Sequence, residues 1–271
     1  MADADNKRAV RAFWEQGAAG EFWAAGESET ARLDAEFHAR FAFEPNVAPF
    51  ADFESGAGKR VLEIGVGMGA DHVRWAQAHP ALLAGIDITD RAIRYTQRRF
   101  ELADLKSALV NGDAEALPYR DGVFDIVYSW GVIHHSPDTA RAAREIHRVL
   151  KPGGVAKVMI YHLRSMTGYM LWLRYGLMRG RPLTGLREIY AKHLESPGTK
   201  AYTVDEARSL FAPFSAVDIK VVLNYGDLLQ SHVGRRHRGP LLTLAKAIWP
   251  RPLIRALFRN HGLYLLITAR K

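Results

Sequence analysis

Short apolar runs alternate with amphipathic segments between residues 59 and 162. The apolar runs are typical of five strands, at 60–65, 81–87, 108–113, 124–130 and 155–162. The segments between them predict helices at 70–78, 91–102 and 137–150. We expect Ser136 to cap the last of these helices, because Pro137 suits a first helical turn. Such alternation implies right-handed crossovers and a parallel sheet, and near-continuous apolar strands indicate burial under helices on both faces.

The flanking segments extend this α/β pattern. The aromatic-rich N-terminus predicts helices at roughly 4–15 and 28–42. Beyond residue 162 the pattern resumes with a helix at 204–211, a strand at 215–223 and a last strand at 263–268. The last strand would pair with the sixth as an antiparallel pair, which completes a seven-stranded, mostly parallel sheet.

The domain organisation that we expect has two parts. Residues 1–55 would form an N-terminal helical cap, and 56–271 the main domain. The main domain would carry two inserts: an apolar and aromatic one at 163–200, predicted to act as a substrate lid, and a basic one at 224–261.

Composition excludes several kinds of chemistry. The chain has no cysteine, which rules out disulfides, thiolate metal sites and a cysteine nucleophile. The N-terminus lacks the apolar core of a signal peptide, and no run of about 18 apolar residues predicts a membrane span. We therefore expect a cytoplasmic protein, free or peripheral to the inner membrane surface.

The positive charge is concentrated in the two inserts. The chain carries a net charge of +8, while 163–200 holds seven basic residues against two acids and 224–261 holds seven against one. Solvated surface, an anionic acceptor, a membrane surface and nucleic acid are all compatible with such blocks. We rank membrane contact above nucleic acid, because no RNA-binding module is visible.

A glycine-rich turn follows the first predicted strand in the segment VLEIGVGMG, residues 61–69. Gly65 and Gly67 would let a ligand approach the backbone at the carboxyl edge of the sheet. Asp87 ends the second strand 22 residues after Gly65, where a carboxylate can hold a ribose. These two features alone suit NAD and S-adenosylmethionine (SAM) equally.

Three further segments distinguish the two cofactors: GDAEALP at 112–118, FDIVYSWGVIHH at 124–135 and RVLKPGG at 148–154. Together with LEIGVGMG and GID, this ordered set resembles the class I SAM-dependent methyltransferases. It is most similar to the type 11 group, which includes ubiquinone, menaquinone and sterol methyltransferases. The resemblance covers 59–162 and implies a Rossmann-like fold and SAM as cofactor.

The resemblance also implies roles for individual residues. Glu63 would organise the methionine end of SAM, and Gly65, Val66 and Gly67 would pass beneath the ligand. Asp87 would hold the ribose and Ile88 would lie against the adenine. The adenine edge would contact Asp113 and Ala114. The site near the sulfonium would be closed by Ser129 and Trp130.

Methyl transfer requires mainly alignment of nucleophile, carbon and sulfur. Aromatic rings near a sulfonium add cation–π attraction, for which Trp14, Trp23 and Trp130 are candidates. A base is needed only when the acceptor is not already ionised. His134 and His135 are then the candidate catalytic residues, because they follow the fourth strand at the ligand edge. Tyr161 and His162, which end the fifth strand, are alternatives. We expect no metal, since the histidines lack ligand spacing.

The sequence thus predicts SAM-dependent methyl transfer, by in-line displacement, to a small lipophilic or aromatic acceptor such as a quinone, a lipid or a secondary metabolite. One alternative is a non-catalytic SAM-binding or interaction module. An RNA methyltransferase and, from the glycine turn alone, an NAD-dependent enzyme are further alternatives. Neither the acceptor atom nor the oligomeric state follows from the sequence.

Overall fold

The computed structural model describes residues 2–230, 243 and 246–271, with side chains from residue 5 onward. The basic segment Arg235–Arg238 and the apolar residues Leu241, Leu242 and Leu244, on which part of the prediction for the second insert rests, lie outside the described residues.

Seven strands form one sheet in the order β3-β2-β1-β4-β5-β7-β6. The strands are β1 (Arg60–Ile64), β2 (Leu82–Asp87), β3 (Ala108–Asn111), β4 (Phe124–Trp130), β5 (Leu150–Tyr161), β6 (Ala216–Val222) and β7 (Tyr264–Arg270). All pairings among the first five strands are parallel. β7 lies between β5 and β6 and runs antiparallel to both. The predicted seven-stranded sheet with a terminal antiparallel pair is confirmed.

Helices cover both faces of this sheet, as predicted. They are α1 (Ala2–Glu15), α2 (Glu29–Phe43), α3 (Val47–Ala51), α4 (Ala70–Gln77), α5 (Asp90–Leu102), α6 (Thr139–Val149), α7 (Met166–Tyr175), α8 (Leu186–His193), α9 (Val204–Leu210) and α10 (Arg251–Leu257). One hydrophobic core packs α6 and α9 on the sheet, and the other packs α3, α4, α5 and α8. Alternate residues of β1 enter different cores, with Leu62 in the first and Val61 in the second.

The start of α6 corrects one sequence prediction. The helix was expected at 137–150 with Ser136 as its cap, but it begins at Thr139 and its cap is Asp138. The Asp138 carboxylate accepts from the Arg141 backbone N–H at 2.8 Å, which satisfies one of the unpaired donors of the first turn. Pro137 therefore precedes the helix instead of forming its first turn.

The insert at 163–200 contains more regular structure than its turn-rich sequence suggested. Helix α7 begins where the Ser165 hydroxyl accepts from the Gly168 backbone N–H at 3.0 Å. The same hydroxyl lies 2.6 Å from the buried phenol of Tyr190 on α8, which joins the two helices of the insert.

The N-terminal segment packs into the main domain through buried polar groups. Arg40 of α2 makes two hydrogen bonds to Asp71 of α4, at 2.9 and 2.7 Å, and the Tyr128 hydroxyl of β4 donates to the same carboxylate. Val47, Ala51 and Phe53 share a core with Trp75 and Tyr128. The proposed boundary at residue 55 therefore separates segments that share one core.

A second ion pair joins α2 to α5. Glu36 lies 2.5 Å from Arg99, and the two side chains are 3% and 6% exposed. Burial raises the pKa of Glu36 to about 7 and lowers the pKa of Arg99, so each charge depends on the other for compensation. The same two helices carry an exposed counterpart, Glu29 with Arg98, at 2.8 Å.

These two pairs provide a matched test of how the cap is held. Glu36→Ala should lower the free energy of unfolding by about 3–5 kcal/mol, because it leaves the Arg99 guanidinium buried without its partner. Glu29→Ala should leave stability nearly unchanged, because water screens its pair with Arg98. Urea unfolding followed by circular dichroism measures both values, and equal losses would contradict this account.

Candidate functional site

A cavity opens at the carboxyl ends of β1, β2 and β4, where the strand order reverses. It encloses about 850 Å³ of empty space with its open mouth included. Open α/β sheets bind ligands at this switch point. Its lining includes eight of the predicted site residues: Gly65, Gly67, Asp87, Ile88, Asp113, Ala114, Trp130 and His135.

The glycine turn after β1 forms the floor of the cavity. Gly65 has a φ of 82°, and a Cβ there would lie 2.1 Å from Cγ2 of Val132, so only glycine fits between the two turns. Gly67 has a φ of 53°, and its Cβ position meets nothing nearer than the Ala19 carbonyl oxygen at 3.8 Å. Its exposed backbone can therefore contact a ligand directly. Val66, between them, is buried and does not line the cavity.

Asp87 is held in place at the end of β2. Its carboxylate accepts from the backbone N–H of Thr89 at 3.0 Å, from the Thr89 hydroxyl at 2.8 Å and from the Gly67 N–H at 3.2 Å. Burial raises the pKa of Asp87, and these three hydrogen bonds oppose that rise. An oriented carboxylate thus faces the cavity beside Ile88, as expected of a ribose acceptor.

Asp113 meets a partner that the sequence did not reveal. Lys7 of α1 places its ammonium 2.5 Å from the Asp113 carboxylate and 2.6 Å from that of Glu115. This ion pair spans 106 residues of chain, so no local pattern indicates it. Through it, α1 closes one side of the cavity, which Val10 and Trp14 of the same helix also line.

Glu63 lies behind the cavity lining and is 3% exposed. Its carboxyl is 2.8 Å from Nδ1 of His72, whose Nε2 lies 2.7 Å from the Ser107 hydroxyl. Burial raises the pKa of Glu63 well above its usual range and lowers that of His72 to about 3. A protonated Glu63 that donates to a neutral His72 satisfies both groups. Its expected part in binding the methionine end of SAM stays a prediction.

Ser129 and Trp130 end β4 beside the cavity. Trp130 lines it, while Ser129 is fully buried and its hydroxyl has no hydrogen-bond partner. Of the other two tryptophans considered, Trp14 lines the cavity. Trp23 stacks on Phe43 instead, with ring centroids 5.7 Å apart.

The two candidate catalytic histidines have different surroundings. His135 lines the cavity, and its ring meets that of Trp14 edge-on at 5.4 Å. His134 is fully buried, and its burial lowers its pKa well below the usual value. Glu195 from the first insert lies near both histidines, and one ligand-type atom of each residue falls within 4.8 Å of the others.

No residue of 163–200 is among those that line the cavity. The insert instead contacts the turn at His134 and His135 from its outer side, through Lys200 and Ser196. Its role as a substrate lid stays a prediction.

The cavity residues fit SAM in chemical type. The open backbone of the glycine turn suits the bent chain of the ligand. The fixed carboxylate at the end of β2 suits its ribose, and the second carboxylate, at Asp113, suits its adenine amine. The unpartnered hydroxyl of Ser129 is a further polar group beside the cavity.

Residues 62–158 match a family model described as a methyltransferase domain. Among curated relatives, 27-O-demethylrifamycin SV methyltransferase of Amycolatopsis mediterranei is 38% identical over 100 residues, which are 36% of this chain and 37% of the relative. Phthiotriol/phenolphthiotriol dimycocerosates methyltransferase 1 of Mycobacterium ulcerans is 42% identical over 100 residues, 36% of each chain. The chain therefore matches little more than a third of the length of these relatives.

The fold extends this similarity over nearly the whole chain. A crystal structure of a SAM-dependent methyltransferase of Thermotoga maritima, described as a possible histamine N-methyltransferase, superposes with a TM-score of 0.53 at 16% identity. The superposition covers 97% of this chain and 99% of that one, which shows a shared fold. Residues 62–158, which hold the glycine turn and the strand-end acids, thus carry the similarity to methyltransferase domains, and the chain as a whole shares the fold of a SAM-dependent methyltransferase structure.

Proposed function

We propose that this protein transfers the methyl group of SAM to a small lipophilic acceptor. The observation that carries the proposal is the cavity at the switch point, where Gly67, Asp87 and Asp113 present a backbone and two carboxylates to one space. When bound, SAM supplies an electrophilic methyl group on a sulfonium. The protein's part is to hold and orient the two reactants, which replaces much of the entropic barrier.

Seven of the ten predicted cofactor contacts line the cavity, whereas Glu63, Val66 and Ser129 do not. Gly65 and Gly67 let the chain pass beneath the ligand, and Asp87 with Ile88 receives the ribose and the adenine face. Asp113 and Ala114 lie at the adenine edge. The aromatic rings of Trp14 and Trp130 line the cavity, where they can attract a cationic sulfur.

The cofactor contact at Asp87 has a matched control three residues away. Asp87→Asn should weaken binding of S-adenosylhomocysteine by about 10–100-fold, because a hydrogen bond to a charged group contributes about 1.5–3 kcal/mol. Asp90→Asn should leave binding unchanged, since Asp90 bonds to Arg11 at the surface. Isothermal titration calorimetry measures both affinities, and unchanged binding by Asp87→Asn would remove the ribose assignment.

Two relatives support a lipophilic acceptor, since they are named for a rifamycin and for phthiotriol dimycocerosates. The side of the protein next to His135 is consistent with such an acceptor, because it is rich in aromatic rings. The Trp130 ring contacts those of Tyr264 and Phe50, with centroids 5.4 and 5.9 Å away.

Incubation with methyl-labelled SAM and cell extracts tests the acceptor class. We expect the label in chloroform-soluble material. Label in RNA would favour the RNA methyltransferase alternative. Binding of SAM with no transfer to any fraction would favour a non-catalytic module.

The two inserts also support peripheral contact with an anionic membrane. Ten large hydrophobic residues are exposed in the described part of the chain, and eight lie on these inserts. The first insert contributes Leu173, Leu177, Met178 and Leu183, and the second contributes Ile248, Leu253, Leu257 and Phe258. Among the described residues, no helix is long and apolar enough to cross a bilayer.

The two exposed sets are close in space. The Phe258 ring lies 5.7 Å from that of His261, which in turn bonds to the Tyr169 hydroxyl of α7 at 3.0 Å. Leu173 is one helical turn from Tyr169, on the same face. Residues 173–183 and 246–259 contain seven basic residues and no acidic one. This charge favours anionic lipid over a second, equally basic copy of the chain.

Binding to lipid vesicles tests this surface. Leu177→Glu combined with Met178→Glu should abolish most co-sedimentation with vesicles of phosphatidylglycerol and phosphatidylcholine, and added salt should weaken wild-type binding. Leu102→Glu is the control, because Leu102 is equally exposed but lies on α5, outside both inserts. Equal binding by all three proteins, or binding that ignores lipid charge, would contradict the proposal.

A further inference from the structure

The segment after α8 wraps around the turn that carries the two histidines. The Lys200 backbone N–H donates to the His134 carbonyl at 3.1 Å. The Lys200 ammonium donates to the carbonyls of Ser136 and Pro137, at 2.5 and 2.9 Å. The first insert thus holds the position of a turn that belongs to the methyltransferase domain.

The same segment determines which nitrogen of His135 carries a hydrogen. Nδ1 lies 2.8 Å from the Ser196 hydroxyl and 3.2 Å from the Thr199 hydroxyl. The Thr199 hydroxyl donates its hydrogen to the Ser196 carbonyl at 2.7 Å, so it can only accept from Nδ1. A hydrogen on Nδ1 suits both hydroxyls and leaves Nε2 of a neutral His135 with a free lone pair.

The surroundings of Nε2 suit a group that takes up a proton. Nε2 has no hydrogen-bond partner, and a Glu195 carboxylate oxygen lies 3.3 Å away. That oxygen also accepts from the Tyr161 hydroxyl at 2.8 Å, which orients the carboxylate. A proton on Nε2 would be close to the negative charge of this carboxylate. Nε2 itself is buried, while the Glu195 side chain beside it is 38% exposed.

His134 does not share these properties. Neither ring nitrogen has a partner, its side chain is fully buried and it does not line the cavity. Its ring packs between those of His135 and Tyr161, at 4.2 and 4.1 Å. His134 therefore serves as packing behind the site, and of the two histidines only His135 lines the cavity.

We propose that His135 is the proton acceptor for a hydroxyl substrate and that Glu195 of the first insert is its positioning residue. This inference rests on the proposed methyl transfer. As the hydroxyl oxygen forms its bond to the methyl carbon, the carbon–sulfur bond breaks with its electron pair on sulfur. The hydroxyl proton passes to Nε2 of His135, where the Glu195 carboxylate compensates the new charge.

The chemistry of the acceptor follows from this assignment. A carboxylate acceptor is ionised at neutral pH and has no proton to give, so it needs no base. An alcohol or neutral phenol keeps its proton and does need one. A site with an assembled proton acceptor is therefore suited to an un-ionised hydroxyl, and its product is a methyl ether.

Three variants test the pair, with the labelled lipid-extract assay as readout. His135→Asn should lower the transfer rate about 10²–10⁴-fold, the usual contribution of a general base. Glu195→Gln should lower it about tenfold, because the amide keeps the Tyr161 bond but not the charge. Glu188→Gln is the control, since Glu188 is an exposed residue of the same insert that pairs with Lys192. All three should bind S-adenosylhomocysteine as wild type does.

The pH dependence separates the proposed roles from structural ones. Four titratable or charged groups surround the turn that carries His135. They are His134 of the same turn, Tyr161 of β5, and Glu195 and Lys200 of the first insert. The uncharged Trp14 of α1 also contacts the ring. The wild-type rate should fall as pH is lowered and the imidazole is protonated, and His135→Asn should lose this fall. Glu195→Gln should move the fall to lower pH, because the imidazolium loses the counter-charge that favours its formation. Nitrogen NMR should show the Nδ1–H tautomer of His135.

Two chemical measurements complete the test. The labelled product should survive mild alkali, as an ether does, whereas release of the label would show a methyl ester and overturn the inference.

Elemental analysis should find no bound metal. A stoichiometric metal that is lost in His135→Asn would assign His134, His135 and Glu195 to a metal site instead. If wild type methylates its acceptor and His135→Asn does so equally well, only this inference fails. If wild type binds cofactor but transfers nothing, the proposed function fails with it.

Discussion

The site depends on the reversal of strand order between β1 and its two neighbours. β1 pairs with β2 on one side and with β4 on the other, so the connections that leave their carboxyl ends diverge and open a crevice. The crevice can serve as a binding site only if the turn after β1 lies close to the turn after β4. Gly65 makes this possible, because any side chain there would overlap Val132.

Two groups of buried polar side chains behind the crevice are paired with one another. Asp71 joins the N-terminal helices to the sheet through Arg40 and Tyr128, and Glu63 is paired with His72 below the glycine turn. Buried groups of this kind cost free energy unless every partner is present. The pairing of Asp71 with Arg40 and Tyr128, and of Glu63 with His72, favours a rigid floor for the cavity, which suits a reaction that depends on alignment more than on chemical participation by the protein.

The two sides of His135 come from different parts of the chain. The cofactor side is built by the strand ends of the methyltransferase domain together with α1. The opposite side is built by the first insert, through Glu195, Ser196 and Thr199. Under the proposed function, changes in the insert would therefore alter the surroundings of His135 without altering the residues proposed to hold the cofactor. In the same way, substitutions of the hydrophobic residues exposed on both inserts can change which partners this surface contacts without changing the sheet.

Local patterns in the sequence determined the strands, the glycine turn and the positions of Asp87 and Asp113, because each depends on a few neighbouring residues and on the rule that parallel strands end at one edge. They also placed His134 and His135 at that edge, but they could not distinguish a buried ring from an accessible one. The start of α6 was missed, because Ser136 and Asp138 are both good caps and the choice depends on the path of the preceding turn. Only the tertiary structure brought Lys7 to Asp113 and Glu195 to His135, since these contacts join segments about 60 to 106 residues apart and leave no periodic signal in the chain.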